Sequence, residues 1–484
     1  MNRSILRLFG VVLLMFVVLV VWTSRWTVFS ATALDNNPLN KLQYYASLKI
    51  KRGEILADNG LVLARSVRAP GGTWTRVYPQ GPLFAQTVGY FFPQQGQYAG
   101  LELARNRELK GLQSPLTSVF GSFNGVQSVG DDVYTTLDPK AQRLAAQLLQ
   151  HAVSAYGATG GSVVAIVPQT GAVKVLFSLP TYNDNEPNKC SATKGCSEFF
   201  NATQGGYPPG STFKLVTTTA ALNSGKFTPN STLAGPSPLM VSGAPLHNDG
   251  NISYPPSTTL TTALTYSINT IYAQVGQRVG APLMQQYMER FGFYSVPPMD
   301  YPANQMSPSG EFYHGHFVPI TNPNMDLGRS SIGQGDLTVT PLQMAMVVSA
   351  IANDGRLMQP RLTSHVVNNL GQTVETVKPT LYDQVMAPKI AQEIQVMMRH
   401  VVEEGTGTAA NLNGLAIAGK TGTATTGGTR GGVPLDDAWF VGFPESNPKI
   451  AVAVELSNIP NGYGGTYAAP IAAQVIKTLL AEHQ

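Results

Sequence analysis

Tyr207-Pro208-Pro209-Gly210-Ser211-Thr212-Phe213-Lys214-Leu215-Val216 is the stretch on which the reading of this chain turns. Pro208, Pro209 and Gly210 stop a helix from running backward. Beyond them Phe213, Leu215, Val216, Ala220, Ala221 and Leu222 form an apolar run that Gly225 can end. Ser211 is therefore expected at a helix N-terminus, where free backbone N–H groups and the positive dipole end favour developing negative charge. Lys214, three residues on, falls one turn away on the same face. A serine hydroxyl needs a base within hydrogen-bond reach. An ammonium with an ordinary pKa of about 10.4 is no base at neutral pH, so Lys214 qualifies only if burial or a neighbouring cation lowers it.

Two further motifs follow in order. Ser267-Ile268-Asn269 comes after an apolar helical stretch, Leu260–Tyr266, and its spacing suits a tight connection that presents both side chains to one cleft. Asn269 offers a donor and acceptors to a peptide amide, and Ser267 could relay a proton. Lys420-Thr421-Gly422-Thr423 follows Leu415-Ala416-Ile417-Ala418, which reads as a buried strand. Lys420 is the candidate cation. Gly422 would let a substrate backbone approach the strand, and Thr421 and Thr423 offer hydroxyls to a carboxylate. Any one of these motifs arises by chance in long chains. The ordered set, flanked by Tyr207–Gly210 and by Ala418-Gly419, is far more specific.

With that set the chain resembles the class B penicillin-binding proteins, most closely the penicillin-binding protein A group of actinobacteria. The resemblance implies a peptidoglycan D,D-transpeptidase. Ser211 would attack the D-Ala-D-Ala carbonyl of a stem peptide, and a neighbouring stem amine would resolve the acyl-enzyme into a cross-link. It implies catalytic roles for Ser211, Lys214, Ser267 and Lys420, and substrate contacts for Asn269, Thr421, Gly422 and Thr423. The backbone N–H groups of Ser211 and Thr423 would form the oxyanion hole, and neither metal nor cofactor is expected. The implied partners are stem peptides, their lipid-linked precursor, β-lactams as covalent inhibitors, and a separate membrane glycosyltransferase of the SEDS type. Two other functions share the motifs. A D,D-carboxypeptidase or β-lactamase-like hydrolase would need an activated water, but no E-x-x-L-N glutamate of the class A kind lies between Asn269 and Lys420. A non-catalytic penicillin-binding sensor or scaffold would have little use for an intact Ser211, Lys214 and Lys420.

A length of 484 residues suits two or three domains. Charged residues make up only 12%, without a Lys/Arg cluster, which argues against nucleic acid as a partner. From Leu8 to Trp22 every residue is apolar or Gly, with Arg3 and Arg7 ahead of it. That predicts a single-pass anchor in the cell membrane, with the N-terminus cytoplasmic, the catalytic part extracellular, and Trp22 and Trp26 at the interface. Ala31-Thr32-Ala33 is a competing cleavage site, but it lies far beyond the apolar core for a signal peptide. Outside the membrane, Cys190 and Cys196 suit a disulfide, although an inert free pair also fits. His314 and His316 stand at strand spacing without a third ligand nearby and read as a polar loop.

The expected organisation is a tip and anchor over residues 1–28, a small mixed pedestal over 29–130, and a transpeptidase domain over 131–484. Asn59-Gly60 between Lys51–Asp58 and Leu61–Ala64 is a hairpin signal. By resemblance this hairpin, Arg76–Pro79 and Gly100–Glu102 are pedestal landmarks, where Arg52 and Glu102 could pair. Asp138-Pro139 opens a helix to about Tyr156. Strands follow at Gly161–Val167 and Ala172–Leu179, then a mostly helical middle. Strands at Lys420–Thr425, Ala438–Phe443 and Ile450–Leu456 come next, and a helix over Pro470–Leu480 closes the chain. This order predicts an α+β fold: an antiparallel sheet with helices on both sides plus an all-helical lobe, the site lying between that lobe and the Lys420 edge strand. Gly427-Gly428 and Gly431-Gly432 mark a loop beside the cleft.

Overall fold

The structure, a computed structural model, describes residues 3–25, 42–111, 129–412 and 414–481. Helix α1 (Arg3–Ser24) buries no side chain against the rest of the protein. At 1.5 Å per residue it reaches roughly 33 Å, close to the hydrocarbon thickness of a bilayer. Among the described residues it is the one helix long and apolar enough to cross a membrane. Trp26 and the Ala31–Ala33 site lie outside the described residues.

After α2 (Leu42–Lys49) the chain forms β1 (Ile55–Leu56) and β2 (Val62–Arg68). They meet at the Asn59-Gly60 turn, where Gly60 takes φ 81° and the Leu61 N–H donates to Asn59 Oδ1 at 3.0 Å. Strands β3 (Trp74–Val77) and β4 (Asp132–Thr135) follow. Helix α3 (Pro139–Tyr156) starts where expected: Asp138 Oδ1 accepts from the N–H groups of Lys140 at 3.0 Å and Ala141 at 2.9 Å. Then come β5 (Gly160–Ile166), β6 (Val173–Leu179), α4 (Lys214–Asn223), α5 (Leu260–Thr265), α6 (Asn269–Val279) and α7 (Pro341–Ala352). Further along are β7 (Thr363–Val367), β8 (Thr373–Thr376), α8 (Pro388–Glu403), β9 (Ile417–Arg430), β10 (Val433–Pro444), β11 (Ala451–Pro460) and α9 (Gly464–Ala481).

The main sheet runs β9-β10-β11-β5-β6, antiparallel throughout. Both faces are covered, so β5 is buried at every residue and reads as a continuous apolar run rather than an alternation. The pleat still sorts its side chains. Val163 and Ala165 join one core with Leu149 of α3 and Ile476 of α9. Val164 and Ile166 join the other, which extends through α7 into the helical lobe. Helix α7 is buried at every position, so it is apolar all round instead of striped.

The lobe is mainly helical, as expected, but it also carries short hairpins such as Leu239–Val241 with Ala244–Leu246 and Gly310–Tyr313 with His316–Val318. Strands of three or four residues leave too short a periodic signal to stand out. His314 and His316 sit on the second of these, exposed. Cys190 and Cys196 are disulfide-bonded, with Cα atoms 5.2 Å apart.

The N-terminal sheet is larger than its contiguous sequence. Its order is β8-β7-β4-β1-β2-β3, so two strands from beyond residue 360 complete it. Arg105 ties the same parts together, pairing with Asp300 at 3.2 Å and Glu375 at 3.0 Å. Arg52 and Glu102 do pair, at 2.6 Å, and Arg76 joins the same carboxylate at 2.5 Å.

Candidate active site

The serine segment opens with one 3-10 turn, Gly210–Phe213, and passes directly into α4 at Lys214. Ser211 thus lies at the helix N-terminus but in the tighter turn that precedes it. Two close backbone approaches seat this turn against β9. Gly210 takes φ 52°, and a Cβ there would stand 2.6 Å from the Thr423 carbonyl oxygen and 3.1 Å from its nitrogen. A Cβ on Gly422 would meet the Pro209 carbonyl oxygen at 2.7 Å. Gly422 was expected to admit a substrate backbone. The space a side chain would need is taken by the protein's own serine segment. The Trp439 indole N–H, donating to the Pro208 carbonyl at 3.1 Å, holds the same segment.

Lys214 is the hub. Its Nζ lies 2.7 Å from the Ser267 carbonyl oxygen, 2.8 Å from Asn269 Oδ1, 3.0 Å from Ser211 Oγ and 3.1 Å from Ser267 Oγ. The two shortest contacts go to oxygens that can only accept. A neutral amine has two N–H groups to spend on them and a lone pair left over, and the two neighbours remaining are hydroxyls that can donate to it. Burial, reinforced by the charge of Lys420, pushes Lys214 well below the ordinary lysine value. The sequence had offered a neighbouring cation or burial as the cause; both act, and burial is the larger. Lys420 Nζ lies 3.0 Å from Ser267 Oγ and 3.1 Å from the Thr421 carbonyl oxygen. Burial pushes it down to about 7. Among the described residues neither lysine has a carboxylate within ion-pair distance.

Ser267 Oγ therefore bridges the two amines. It occupies the connection between α5 and α6, with φ 58°, a left-handed backbone unusual for serine. Asn269 opens α6, and its Nδ2–H donates to the His247 carbonyl at 3.1 Å, which fixes the amide's orientation toward Lys214. Thr423 is half-buried, and its Oγ1 accepts from the Gly464 N–H at 3.3 Å. Thr421, two residues earlier on the same face of β9, is buried, with its hydroxyl 2.6 Å from Thr406 Oγ1 and 3.5 Å from Lys420 Nζ.

One contributor was not picked out from sequence. Tyr272 is fully buried, with the Lys214 ammonium position 5.6 Å from its ring centroid and its hydroxyl 2.8 Å from Thr218 Oγ1. It stands three residues after Asn269 on α6, so helical spacing from a known site residue was the available signal.

Comparison with known proteins agrees with this geometry. Residues 161–477 match the penicillin binding protein transpeptidase domain, and residues 52–133 match the penicillin binding protein A dimerisation domain. The chain is 32% identical to the peptidoglycan D,D-transpeptidase PbpA of Mycolicibacterium smegmatis over the whole length of both. It is 31% identical to PbpA of Mycobacterium tuberculosis, with 99% of each chain covered. Among solved structures, the ceftriaxone acyl-enzyme complex of penicillin-binding protein A from M. tuberculosis superposes with a TM-score of 0.79 at 29% identity, covering 90% of this chain and 99% of that one. The D,D-transpeptidase domain of a peptidoglycan glycosyltransferase from Eggerthella lenta gives 0.76 at 30% identity, with 90% and 99% covered. The ordered motifs, the buried pair of lysines joined by one serine and these matches along the full chain place the protein in the penicillin-binding protein transpeptidase family.

Proposed function

We propose that this chain is a peptidoglycan D,D-transpeptidase working through a Ser211 acyl-enzyme. The observation that carries the reading is Lys214: a buried amine 3.0 Å from Ser211 Oγ, without a carboxylate partner among the described residues. Lys214 takes the Ser211 proton as Oγ attacks the penultimate D-Ala carbonyl. The oxyanion is met by the backbone N–H groups of Ser211 and Thr423, whose segments the Gly210 contact brings together. Ser267, in contact with both amines, passes the proton to the departing D-Ala nitrogen. Lys420 and the Thr423 hydroxyl receive the terminal carboxylate, and Asn269 grips the donor peptide. An acceptor stem amine then reverses the proton path and forms the cross-link. β-Lactams acylate Ser211 by the same first step.

Helix α1 suits a signal anchor, and Arg3 and Arg7 ahead of its apolar run favour a cytoplasmic N-terminus with the site outside, where lipid-linked precursor is polymerised. A membrane glycosyltransferase of the SEDS type would supply the glycan strands. The proposed division is 1–28, 29–130 and 131–484, although Asp132–Thr135, Thr363–Val367 and Thr373–Thr376 pair within the N-terminal sheet. Intact-mass and peptide mass spectrometry after penicillin G treatment tests the assignment. One penicilloyl group on Ser211, absent in Ser211→Ala and persisting for many minutes, is the expected result. Labelling at Ser267, or rapid return to the unmodified mass, overturns it.

A further inference from the structure

Ser331-Ile332-Gly333-Gln334-Gly335 follows the short helix Leu327–Ser330 and belongs to none of the three motifs. It meets the serine turn backbone to backbone. The Gly210 N–H donates to the Gly333 carbonyl at 2.9 Å. Gly333 takes φ 75°, and a Cβ there would overlap the Gly210 carbonyl oxygen and stand 2.9 Å from the Gly210 nitrogen. Further along the same segment, Val339 and Tyr207 exchange backbone hydrogen bonds of 2.8 and 3.0 Å. The serine segment is thus held by β9 at Gly422 and Thr423 and, separately, by the stretch from Gly333 to Val339.

This stretch is anchored to the helices that carry the motifs. Thr217 Oγ1, on α4 three residues after Lys214, donates to the Ser331 carbonyl at 2.7 Å. Ser331 Oγ donates to the Leu327 carbonyl at 2.6 Å. The same hydroxyl fills the space where Gly276 of α6 lacks a side chain, and a Cβ on Gly276 would overlap it.

The Gly210 carbonyl and the Ser211 N–H belong to one trans peptide. That unit is rigid and planar, with its oxygen and hydrogen on opposite edges, so whatever fixes the oxygen aims the hydrogen. Gly333 lies against the oxygen, and its own carbonyl holds the N–H of the peptide before it. Ser211 Oγ and Lys214 Nζ lie beyond this unit and are placed by other contacts, with Ser267 and Asn269.

We propose that Gly333 is a positioning residue for the oxyanion hole: it aims the Ser211 N–H at the developing oxyanion, while the Ser211–Lys214 pair is built independently of it. The inference rests on the acyl-transfer reading above. Backbone donors stabilise an oxyanion only if they are oriented before the charge develops, and one such donor accounts for about 10²–10³-fold in rate.

The test is stopped-flow acylation of the full-length protein in detergent by a cephalosporin and by its thioxo analogue, in which sulfur replaces the β-lactam carbonyl oxygen. The concentration dependence separates the non-covalent dissociation constant from the acylation rate constant. Sulfur is a weak hydrogen-bond acceptor, so a hole of N–H donors contributes little to the thioxo reaction. Gly333→Ala should slow acylation by the oxo compound about 10²–10³-fold, slow the thioxo compound by less than about tenfold, and leave both dissociation constants within about threefold. Gly335→Ala is the matched control. Its φ of 81° is equally left-handed, but the nearest atom to a Cβ there is the Arg329 Cβ at 3.8 Å, so acylation should stay near the wild-type rate. If melting shows that Gly333→Ala does not fold, Ser331→Ala, which frees the segment from the Leu327 carbonyl, should give the same oxo-over-thioxo pattern at about tenfold. Equal slowing of the two compounds, equal effects of Gly333→Ala and Gly335→Ala, or a change confined to the dissociation constants overturns the proposal. A wild-type protein in which the cephalosporin leaves Ser211 unmodified overturns the transpeptidase assignment instead.

Discussion

Two clusters of buried cations occupy this molecule, and they have been treated differently. In the N-terminal sheet Arg52 and Arg76 converge on Glu102, all three almost fully buried. Burial alone would raise the Glu102 carboxyl, but the Arg76 and Arg52 guanidiniums outweigh it and hold it below its ordinary range. That cluster is locked in its charged form. In the cleft Lys214 and Lys420 are as deeply buried, yet their partners are neutral oxygens, Ser267 Oγ lying between them. Nothing repays the charge, so both fall toward neutrality. Arginine with a carboxylate makes a fixed joint; lysine without one makes a group that can give and take a proton at physiological pH.

The sharpest break of this contrast is to give the cleft a cation that cannot deprotonate. Lys214→Arg should slow acylation of Ser211 by about 10²–10⁴-fold, the span attributable to a general base. Stopped-flow reaction with a fluorescent penicillin measures it, and a loss under tenfold would remove Lys214 from the base's role. The mirror experiment removes the anion from the fixed joint. Glu102→Ala leaves two buried guanidiniums uncompensated and should destabilise the N-terminal sheet by about 3–5 kcal/mol. Chemical denaturation reads that loss, and molecules still folded should acylate at the wild-type rate. Slower acylation at unchanged stability would mean that the joint acts on the cleft.

A pH profile sharpens the difference further. Lys214 must be deprotonated to act, so acylation rises with pH through its depressed value. Lys420 must be protonated to hold the substrate carboxylate, so kcat/KM for a carboxylate-bearing substrate falls as pH climbs through about 7. Lys420→Arg keeps the charge at all accessible pH, should cost less than Lys214→Arg, and should abolish the alkaline fall. A fall that survives this substitution belongs to another group.

Much of this was legible because it is local. The turn at Asn59-Gly60, the Asp138 cap and the serine turn each depend on a few adjacent residues whose conformational limits are strict. The identity of the site came from three spaced motifs, and Lys214, Ser267, Asn269 and Lys420 do converge. What escaped is what only packing decides. Thr421 and Thr423 look equivalent in the sequence; packing gives their hydroxyls different partners, Thr406 for the first and the Gly464 N–H for the second. Gly422 looks open until the Pro209 carbonyl is found against it. Strands β7 and β8 join the N-terminal sheet from more than two hundred residues away, a pairing without any local signature.

The smallest expected effect concerns the backbone, where the two clusters also differ. Ser267 holds φ 58°, whereas Arg52, Arg76 and Glu102 all keep negative φ. The left-handed conformation costs a side-chain-bearing residue about 1–2 kcal/mol, part of which glycine would return as extra freedom in the unfolded chain. Ser267→Ala and Ser267→Gly both delete the bridging hydroxyl, so both should slow acylation to a similar degree. They differ in Cβ alone. If the strain is real and maintained for the sake of placing Oγ between the two amines, the glycine variant should be more stable than the alanine variant by about 0.5–1 kcal/mol, measured by denaturation of the two side by side. Equal stabilities would show that the connection relaxes when the hydroxyl is lost. The Ser267 contacts with Lys214 and Lys420 would then hold the backbone in place, and not the reverse.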